Sequence, residues 1–399
     1  MSPVYLAHIK CTENTWVFQS IEDHCRGVAE LASEAAAAFH AESWAKLCGQ
    51  WHDLGKYSES FQKHIKAASG YDTSIKDPGK TDHASAGAIY AQELLNEQGA
   101  FLPIAYCVCG HHTGLHDYYA SGAANLKYHL QEIEKLDPIR PFLIQTPLPP
   151  LSPPRISYVS QDDFMISWHL WIRMLYSCLV DADSLDTERF MTPEKYNRRR
   201  QFDTIETLKH RLDIYLQNFK NCPQTPLNKI RTNIQNLCRE SGKGPKDIYS
   251  LTVPTGGGKT LSSLVWAMEH AVTNGNQRII IAIPYTSIVV QTANTLKEIF
   301  GADNVIEHHS NVDFDSEEDD KDKLDTENWG APSTVTANGQ RFEALFANKR
   351  SRCRKLHNIV NSILILDEVQ MLPPENLRPI VEVLKSLQKD FGTSIIMTT

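Results

Sequence analysis

The chain has 399 residues, 41% of them hydrophobic and 22% charged, which is enough apolar material for two cores rather than one. Its net charge of −8 argues against a protein that coats nucleic acid over its whole surface, while leaving room for a local basic groove. No stretch approaches the roughly 18 apolar residues of a membrane span and residues 1–20 lack a signal-peptide pattern, so no membrane partner is expected. The nine cysteines form an odd, scattered set that suits reduced thiols in a cytoplasm. Cys107-Val108-Cys109 has no second Cys pair nearby and reads as buried thiols rather than zinc ligands.

Residues from Ile21 to about Leu216 read as mainly helical. Apolar residues recur at helical spacing in Val28–Phe39, Ala86–Leu95 and Phe164–Leu179, with Ala-rich faces suited to close packing. Along these helices run His24, His52-Asp53, His83, His111-His112 and Asp181. Any one of them alone would be an ordinary helix-face residue, but three contexts point to a shared cavity. His52-Asp53-Leu54-Gly55-Lys56 follows an apolar helical segment, His83 opens a helix after Thr81-Asp82, and His111-His112 follow Gly110 at the end of another.

Imidazole mixed with carboxylate suits Mn, Fe, Co or Ni better than Ca²⁺ or Mg²⁺. These ligands are too many for one ion and about right for two, which roughly 3.5–4 Å apart can activate water and clamp the leaving oxygen of a phosphodiester. Lys56, about one helical turn after His52, is placed to neutralise charge building at phosphorus. Asp183 and His116 are set aside as flanking or surface groups.

The Pro-rich stretch Pro138–Pro154 reads as a loop within this first domain, because residues on both sides belong to the cluster. Arg198-Arg199-Arg200 reads as a solvated face or a phosphate contact. The first domain is taken as 1–222. Residues 223–247, with Pro223, Pro226 and a Ser-Gly-Lys-Gly-Pro turn, are taken as a linker, and 248–399 as the second domain.

From Ile248 short β-branched runs (Ile279–Ile283, Ile363–Leu366, Ser394–Met397) alternate with amphipathic helices such as Ser262–Val272 and Leu377–Leu387, implying βαβ units around a mainly parallel sheet. Between an apolar run and a helix stands Val253-Pro254-Thr255-Gly256-Gly257-Gly258-Lys259-Thr260. Three glycines let the backbone wrap a phosphate, Lys259 reaches the outer phosphates, and the Thr260 hydroxyl can bind Mg²⁺. Downstream, Ile363-Leu364-Ile365-Leu366 leads into Asp367-Glu368-Val369-Gln370. There Asp367 is placed to hold Mg²⁺ and Glu368 to orient the attacking water. The acidic run Asp313–Asp325 reads as a solvated loop. Lys349-Arg350-Ser351-Arg352-Cys353-Arg354-Lys355 reads as a contact to nucleic acid or between domains.

With Thr255-Gly-x-Gly-Lys-Thr260 and Asp367-Glu368 in place, the second domain resembles the first RecA-like lobe of superfamily 2 DEAD/DEAH-type helicases. Ile281-Ala282-Ile283-Pro284-Tyr285-Thr286-Ser287 with Gln291-Thr292, and Thr334-Val335-Thr336 with Gln340, resemble its DNA-contacting motifs. Met397-Thr398-Thr399 resembles the start of the motif that couples hydrolysis to movement. His24, His52-Asp53 and Asp181 resemble the all-α HD phosphohydrolases. The whole set, with Lys56, Asp82-His83, His111-His112 and Asp181-Ala182-Asp183, resembles the HD nuclease domain fused to a helicase in CRISPR-associated nuclease–helicases of type I systems.

The resemblance implies a multidomain protein, an all-α HD domain followed by an α/β RecA-like domain. It further implies that His24, His52, Asp53 and Asp181 hold one metal and Asp53, His83, His111 and His112 the other, with Asp53 bridging; Mg²⁺ is a possible substitute for the transition metals. ATP with Mg²⁺, single-stranded DNA, a guide-RNA surveillance complex, 3′-to-5′ movement and a monomeric state are expected. Because the chain stops after Thr399, weak ATP hydrolysis and no translocation are also expected. Two other readings stand beside this one: an HD phosphohydrolase acting on nucleotides with a regulatory P-loop module, and a non-enzymatic ATP-binding module with a structural metal.

Overall fold

The computed structural model describes residues 4–399 apart from 80, 123–124, 144–147, 159, 200, 220–222, 309–325 and 338–343, and leaves the side chain of Gln98 undescribed. Arg200, the Asp313–Asp325 run and Gln340 therefore lie outside the described residues. The chain forms two compact units, neither of them continuous in sequence. Unit 1 comprises Met1–Pro154, Trp171–Arg198 and Ala347–His357; unit 2 comprises Arg155–Leu170, Arg199–Phe346 and Asn358–Thr399.

Unit 1 opens with an antiparallel hairpin, β1 (Leu6–Thr12) and β2 (Thr15–Ser20). Its two-residue turn places Glu13 and Asn14 at φ 48° and 64°, the left-handed pair that matches the twist of the strands. Among the described residues the unit's strands are these two, so the hairpin departs from the all-α domain that the resemblance implies, ahead of the stretch from Ile21 that reads as helical. Helix α1 (Ile21–Ala36) starts at once, because the Ser20 hydroxyl accepts the Asp23 N–H at 3.0 Å and Glu22 and Asp23 face the positive end of the helix dipole. It packs on α2 (Glu42–Trp51). A Cβ on Gly49 would lie 2.5 Å from the Ala29 Cα, so the small residues there set the spacing of the two helices.

Helices α3 (Glu59–Ala68), α4 (Ala84–Leu95), α5 (Phe101–Gly110) and α6 (Leu126–Gln131) follow. The unit also takes the Trp171–Met191 part of α7 (Gln161–Met191), the short α8 (Pro193–Asn197), and α13 (Arg350–Cys353) from far along the sequence. Trp171, Tyr176, Leu47 and Ile104 are fully buried in its core, each contributing about 1.5–3 kcal/mol.

Unit 2 contains α9 (Ile205–Gln217), α10 (Pro226–Ser241), α11 (Lys259–Asn274), α12 (Thr286–Phe300) and α14 (Leu377–Phe391). Its strands are β3 (Ile248–Leu251), β4 (Arg278–Ile283), β5 (Val305–His308), β6 (Ser333–Ala337), β7 (Ser362–Leu366) and β8 (Ser394–Thr398). They form one parallel sheet in the order β3-β8-β7-β4-β6-β5. The unbroken apolar runs of β4 and β7 are buried throughout, as strands covered on both faces must be.

Two differences from the expected boundaries have a packing cause. Ile205, Leu208 and Leu212 of α9 are buried in the core of unit 2, so α9 does not belong with the first domain. The segment 223–247 holds α10, capped by Thr225 with Pro226 in the first turn, and it packs on α11 rather than serving as an open linker. Among the described residues no helix is long and apolar enough to cross a membrane.

Candidate metal centre and nucleotide loop

In unit 1 the elements converge on Asp53. His52 is the C-cap of α2, His111 the C-cap of α5 and His83 the N-cap of α4, while His24 sits inside α1. Asp53 Oδ2 lies 3.3 Å from Nε2 of both His24 and His52, and Oδ1 lies 3.4 Å from Nε2 of His111 and 3.6 Å from Nε2 of His83. Nε2 of His83 is in turn 2.7 Å from Nε2 of His112. The ligand atoms form two groups, each within 4.8 Å: His24, His52 and Asp183, and Asp53, His83, His111 and His112. Asp53 Oδ2 faces the first group and its Oδ1 belongs with the second.

The imidazoles are pre-oriented. Nδ1 donates to the Gly49 carbonyl in His52 (2.8 Å), to Val108 in His111 (2.7 Å), to Thr81 in His83 (3.2 Å) and to the Asp186 carboxylate in His24 (2.7 Å). Every acceptor is a carbonyl or carboxylate, so each proton sits on Nδ1 and Nε2 turns inward, the tautomer that a metal ligand needs. Asp53 Oδ1 and His111 Nε2 are buried without a hydrogen-bond partner. Buried polar atoms left unpaired at the meeting point of seven ligating side chains fit a divalent cation there.

The charge pattern around Asp53 agrees. Burial works against ionised Asp53, but His52, Lys56 and the nearby His111 and His24 imidazoles hold it well below the usual carboxylate range. Burial also opposes charge on His24, yet hydrogen bonds to Asp183, Asp186 and Asp53 raise its pKa to about 10. His83 is pushed down to about 4 by burial, and His112 to about 2 by burial and the neighbouring His111. Lys56 is buried, with Nζ 2.6 Å from Asp53 Oδ2, so it faces this centre as expected. Gly55 allows this turn: a Cβ there would meet the His83 carbonyl oxygen at 2.4 Å.

Asp181 stands elsewhere. Its carboxylate accepts from Arg354 Nε at 2.8 Å and faces His357 Nε2 at 3.7 Å. Asp183, set aside on sequence, takes the place beside His24 at 3.4 Å and His52 at 3.9 Å. Residues two apart on a helix point about 200° from one another, so one of the pair at most can face α1. Asp186, three residues past Asp183, shares its face, and a Cβ on Gly27 would lie 2.3 Å from its Oδ1. The basic cluster also has a different place: Arg350 donates to Asp183 at 2.9 Å, and Arg354 to Asp181, all inside unit 1.

In unit 2 the loop after β3 has Gly256 at φ 79° and Gly258 at φ 85°, conformations that favour glycine, and α11 begins at Lys259. Thr255, Gly257 and Thr260 complete the cradle, with the Gly257 N–H on the Pro254 carbonyl at 2.8 Å. Arg231 of α10 grips the Gly256 carbonyl through Nε (2.9 Å) and Nη2 (2.7 Å). The ammonium of Lys259 lies 3.0 Å from Asp367 Oδ1 and pairs with Glu368. Thr398 at the end of β8 donates to Asp367 at 2.5 Å. All these groups stand at the carboxyl edge of the parallel sheet, where such folds bind nucleotides. Tyr285 and Ser287 are exposed beyond β4 on the same edge, whereas Thr334, Val335 and Thr336 are buried in β6 and cannot touch DNA directly.

Residues 7–156 match the family model of the Cas3 HD domain, and residues 232–399 that of the DEAD/DEAH box helicases. The chain carries the two domains of a CRISPR-associated nuclease–helicase. Over 176 residues it is 30% identical to the CRISPR-associated nuclease/helicase Cas3 of Haloferax volcanii, a match covering 38% of this chain and 19% of that protein. The crystal structure of T. fusca Cas3-ATP superposes with a TM-score of 0.61 at 15% identity, covering 100% of this chain and 50% of that one. A chain of a CRISPR RNA-guided surveillance complex, pre-nicking, superposes with a TM-score of 0.55 at 15% identity over 100% of this chain and 48% of that one. The chain thus spans about half the length of these solved structures, and its match to the curated protein covers 19% of that protein.

Proposed function

We propose that this chain is the nuclease and nucleotide-binding part of an enzyme that degrades single-stranded DNA in type I CRISPR interference. The observation that carries the reading is the placement of Asp53 between two sets of inward-facing imidazoles, in a chain that also holds a P-loop and an Asp-Glu pair. His24, His52 and Asp183 hold one divalent transition metal, and Asp53, His83, His111 and His112 the other. When bound, Mn, Fe, Co or Ni, or Mg in their place, supplies Lewis-acid activation of water and charge neutralisation at phosphorus. Lys56, against Asp53, offsets negative charge gathering on the scissile phosphate. Asp186 keeps the His24 ring and its Nδ1 proton in place.

In the helicase domain the cradle Thr255–Thr260 receives ATP phosphates, Asp367 holds Mg²⁺ and Glu368 orients water at the γ-phosphate. Movement is 3′ to 5′ along DNA, and a guide-RNA surveillance complex in the cytoplasm recruits the enzyme as a monomer. Similarity to T. fusca Cas3-ATP and to a chain in a surveillance complex supports the ATP and partner assignments.

Hydrolysis of circular single-stranded DNA and of deoxynucleoside triphosphates under Mn²⁺ separates the readings. Cleavage of the DNA with little nucleotide turnover is expected. The reverse preference favours a nucleotide phosphohydrolase.

A further inference from the structure

A second set of metal-ligating side chains lies in unit 1 outside the Asp53 centre. Cys109 is in the last turn of α5, His116 in the segment that follows, and His129 on α6. Cys109 Sγ is 3.6 Å from Nδ1 of His116, and the His116 and His129 rings are 5.2 Å apart. One ligand atom from each of the three lies within 4.8 Å of the other two. Both rings are held through another nitrogen: Nε2 of His116 is 2.8 Å from the Thr113 hydroxyl, and Nδ1 of His129 is 3.0 Å from the Ser85 hydroxyl. The three side chains line a cavity of about 650 Å³ that His83 and His112 also line.

Cys107 and Cys109 therefore differ, although the sequence reads them as one buried pair. Cys107 Sγ points to the Ile172 carbonyl at 3.8 Å, while Cys109 turns to the imidazoles. The nearby carboxylates of Asp82 and Glu132 do not make a rival site, because Lys135 Nζ pairs with them at 2.6 and 2.5 Å.

We propose that Cys109, His116 and His129 bind a zinc-class divalent ion, with the fourth position open to the cavity. One thiolate with two imidazoles is a donor set that suits zinc, whereas the Asp53 centre offers nitrogen and oxygen alone. Binding expels the thiol proton, as metals do at coordinating cysteines. The ion closes a short ring from Cys109 to His116, and His111 and His112 sit inside that ring. It thereby fixes two ligands of the Asp53 centre, a consequence that rests on the nuclease reading while the site itself does not.

The test strips the full chain of metal and reloads it with Co²⁺. Wild type should show the near-ultraviolet thiolate-to-cobalt charge-transfer absorption, which a centre of nitrogen and oxygen ligands cannot give. Cys109→Ser should abolish it, His116→Ala and His129→Ala should weaken Co²⁺ binding at least about tenfold, and His52→Ala should leave it intact. With zinc and manganese both supplied, bound metal should fall from about three ions per chain to about two in Cys109→Ser. Two results overturn the site: no thiolate band in wild type, or a band that survives in a folded Cys109→Ser protein. If the band is lost but the Mn²⁺ needed for half-maximal cleavage is unchanged, rather than raised about tenfold, the clamping role fails.

Discussion

Arg350 donates to Oδ2 of Asp183 at 2.9 Å while Oδ1 of the same carboxylate faces His24 at 3.4 Å. Asp183 is thus held between a cation and the imidazoles, while its neighbour Asp181 is engaged by Arg354 and His357. The two aspartates should therefore separate on substitution. Asp183→Asn should lose one bound Mn²⁺ per chain and cut nuclease activity at least about 100-fold. Asp181→Asn should keep full metal content, measured by mass spectrometry. Equal metal loss in both variants would contradict the assignment.

Asp186 acts through His24, whose Nδ1 it accepts at 2.7 Å. Replacing it with Ala should leave the fold intact, as seen by circular dichroism, and weaken metal binding at the His24 group by about 10–100-fold, the usual effect of removing such a partner. Calorimetric titration with Mn²⁺ reads this directly. An unchanged affinity would show that the carboxylate does not orient the ring.

Loading the two metal groups should differ in proton release. His24, with its pKa raised to about 10, carries a proton at neutral pH that an incoming ion must displace. Raising pH removes that competitor, so affinity at the His24 group should rise about tenfold per unit between roughly pH 7 and 9. His83 and His112, pushed down to about 4 and about 2, are already neutral and release no proton there. Calorimetry in buffers of different protonation enthalpy should find about one proton released from His24 as its group fills. No release across the titration would rule this out.

Several features were legible because they are local in sequence. The phosphate cradle is a contiguous run, and Asp367 follows an apolar strand directly. His52, His83 and His111 could be read as facing one cavity because they follow or precede apolar helices, and the structure places them at helix caps around Asp53. The choice between Asp181 and Asp183 was not legible in this way, since it turns on the rotational phase of α7 against α1. The spacing of Asp183 and Asp186, one turn apart, was the available signal. Arg350 and Arg354 could not be placed, because each meets an aspartate more than 160 residues earlier in the chain. Thr334 and Thr336 match a DNA-contact motif in letters, yet β6 is an inner strand and buries them.

In the helicase domain, Lys259 balances Asp367 and Glu368. Lys259→Ala removes the charge proposed to meet the outer phosphates, so ATP affinity should fall at least about tenfold, or about 1.4 kcal/mol. Metal content of the Asp53 centre should not change. Titration with a fluorescent ATP analogue measures the first quantity, and wild-type affinity in this variant would remove Lys259 from the nucleotide site.

The most direct test is cleavage of labelled circular single-stranded DNA by the full chain with Mn²⁺, Co²⁺, Ni²⁺ or Mg²⁺, with and without ATP, beside His52→Ala and Asp53→Ala. Cutting that needs the metal, proceeds without ATP and disappears in both variants is the predicted result. No cutting by folded, metal-loaded wild-type protein, or cutting that survives both substitutions, would contradict a nuclease centred on Asp53.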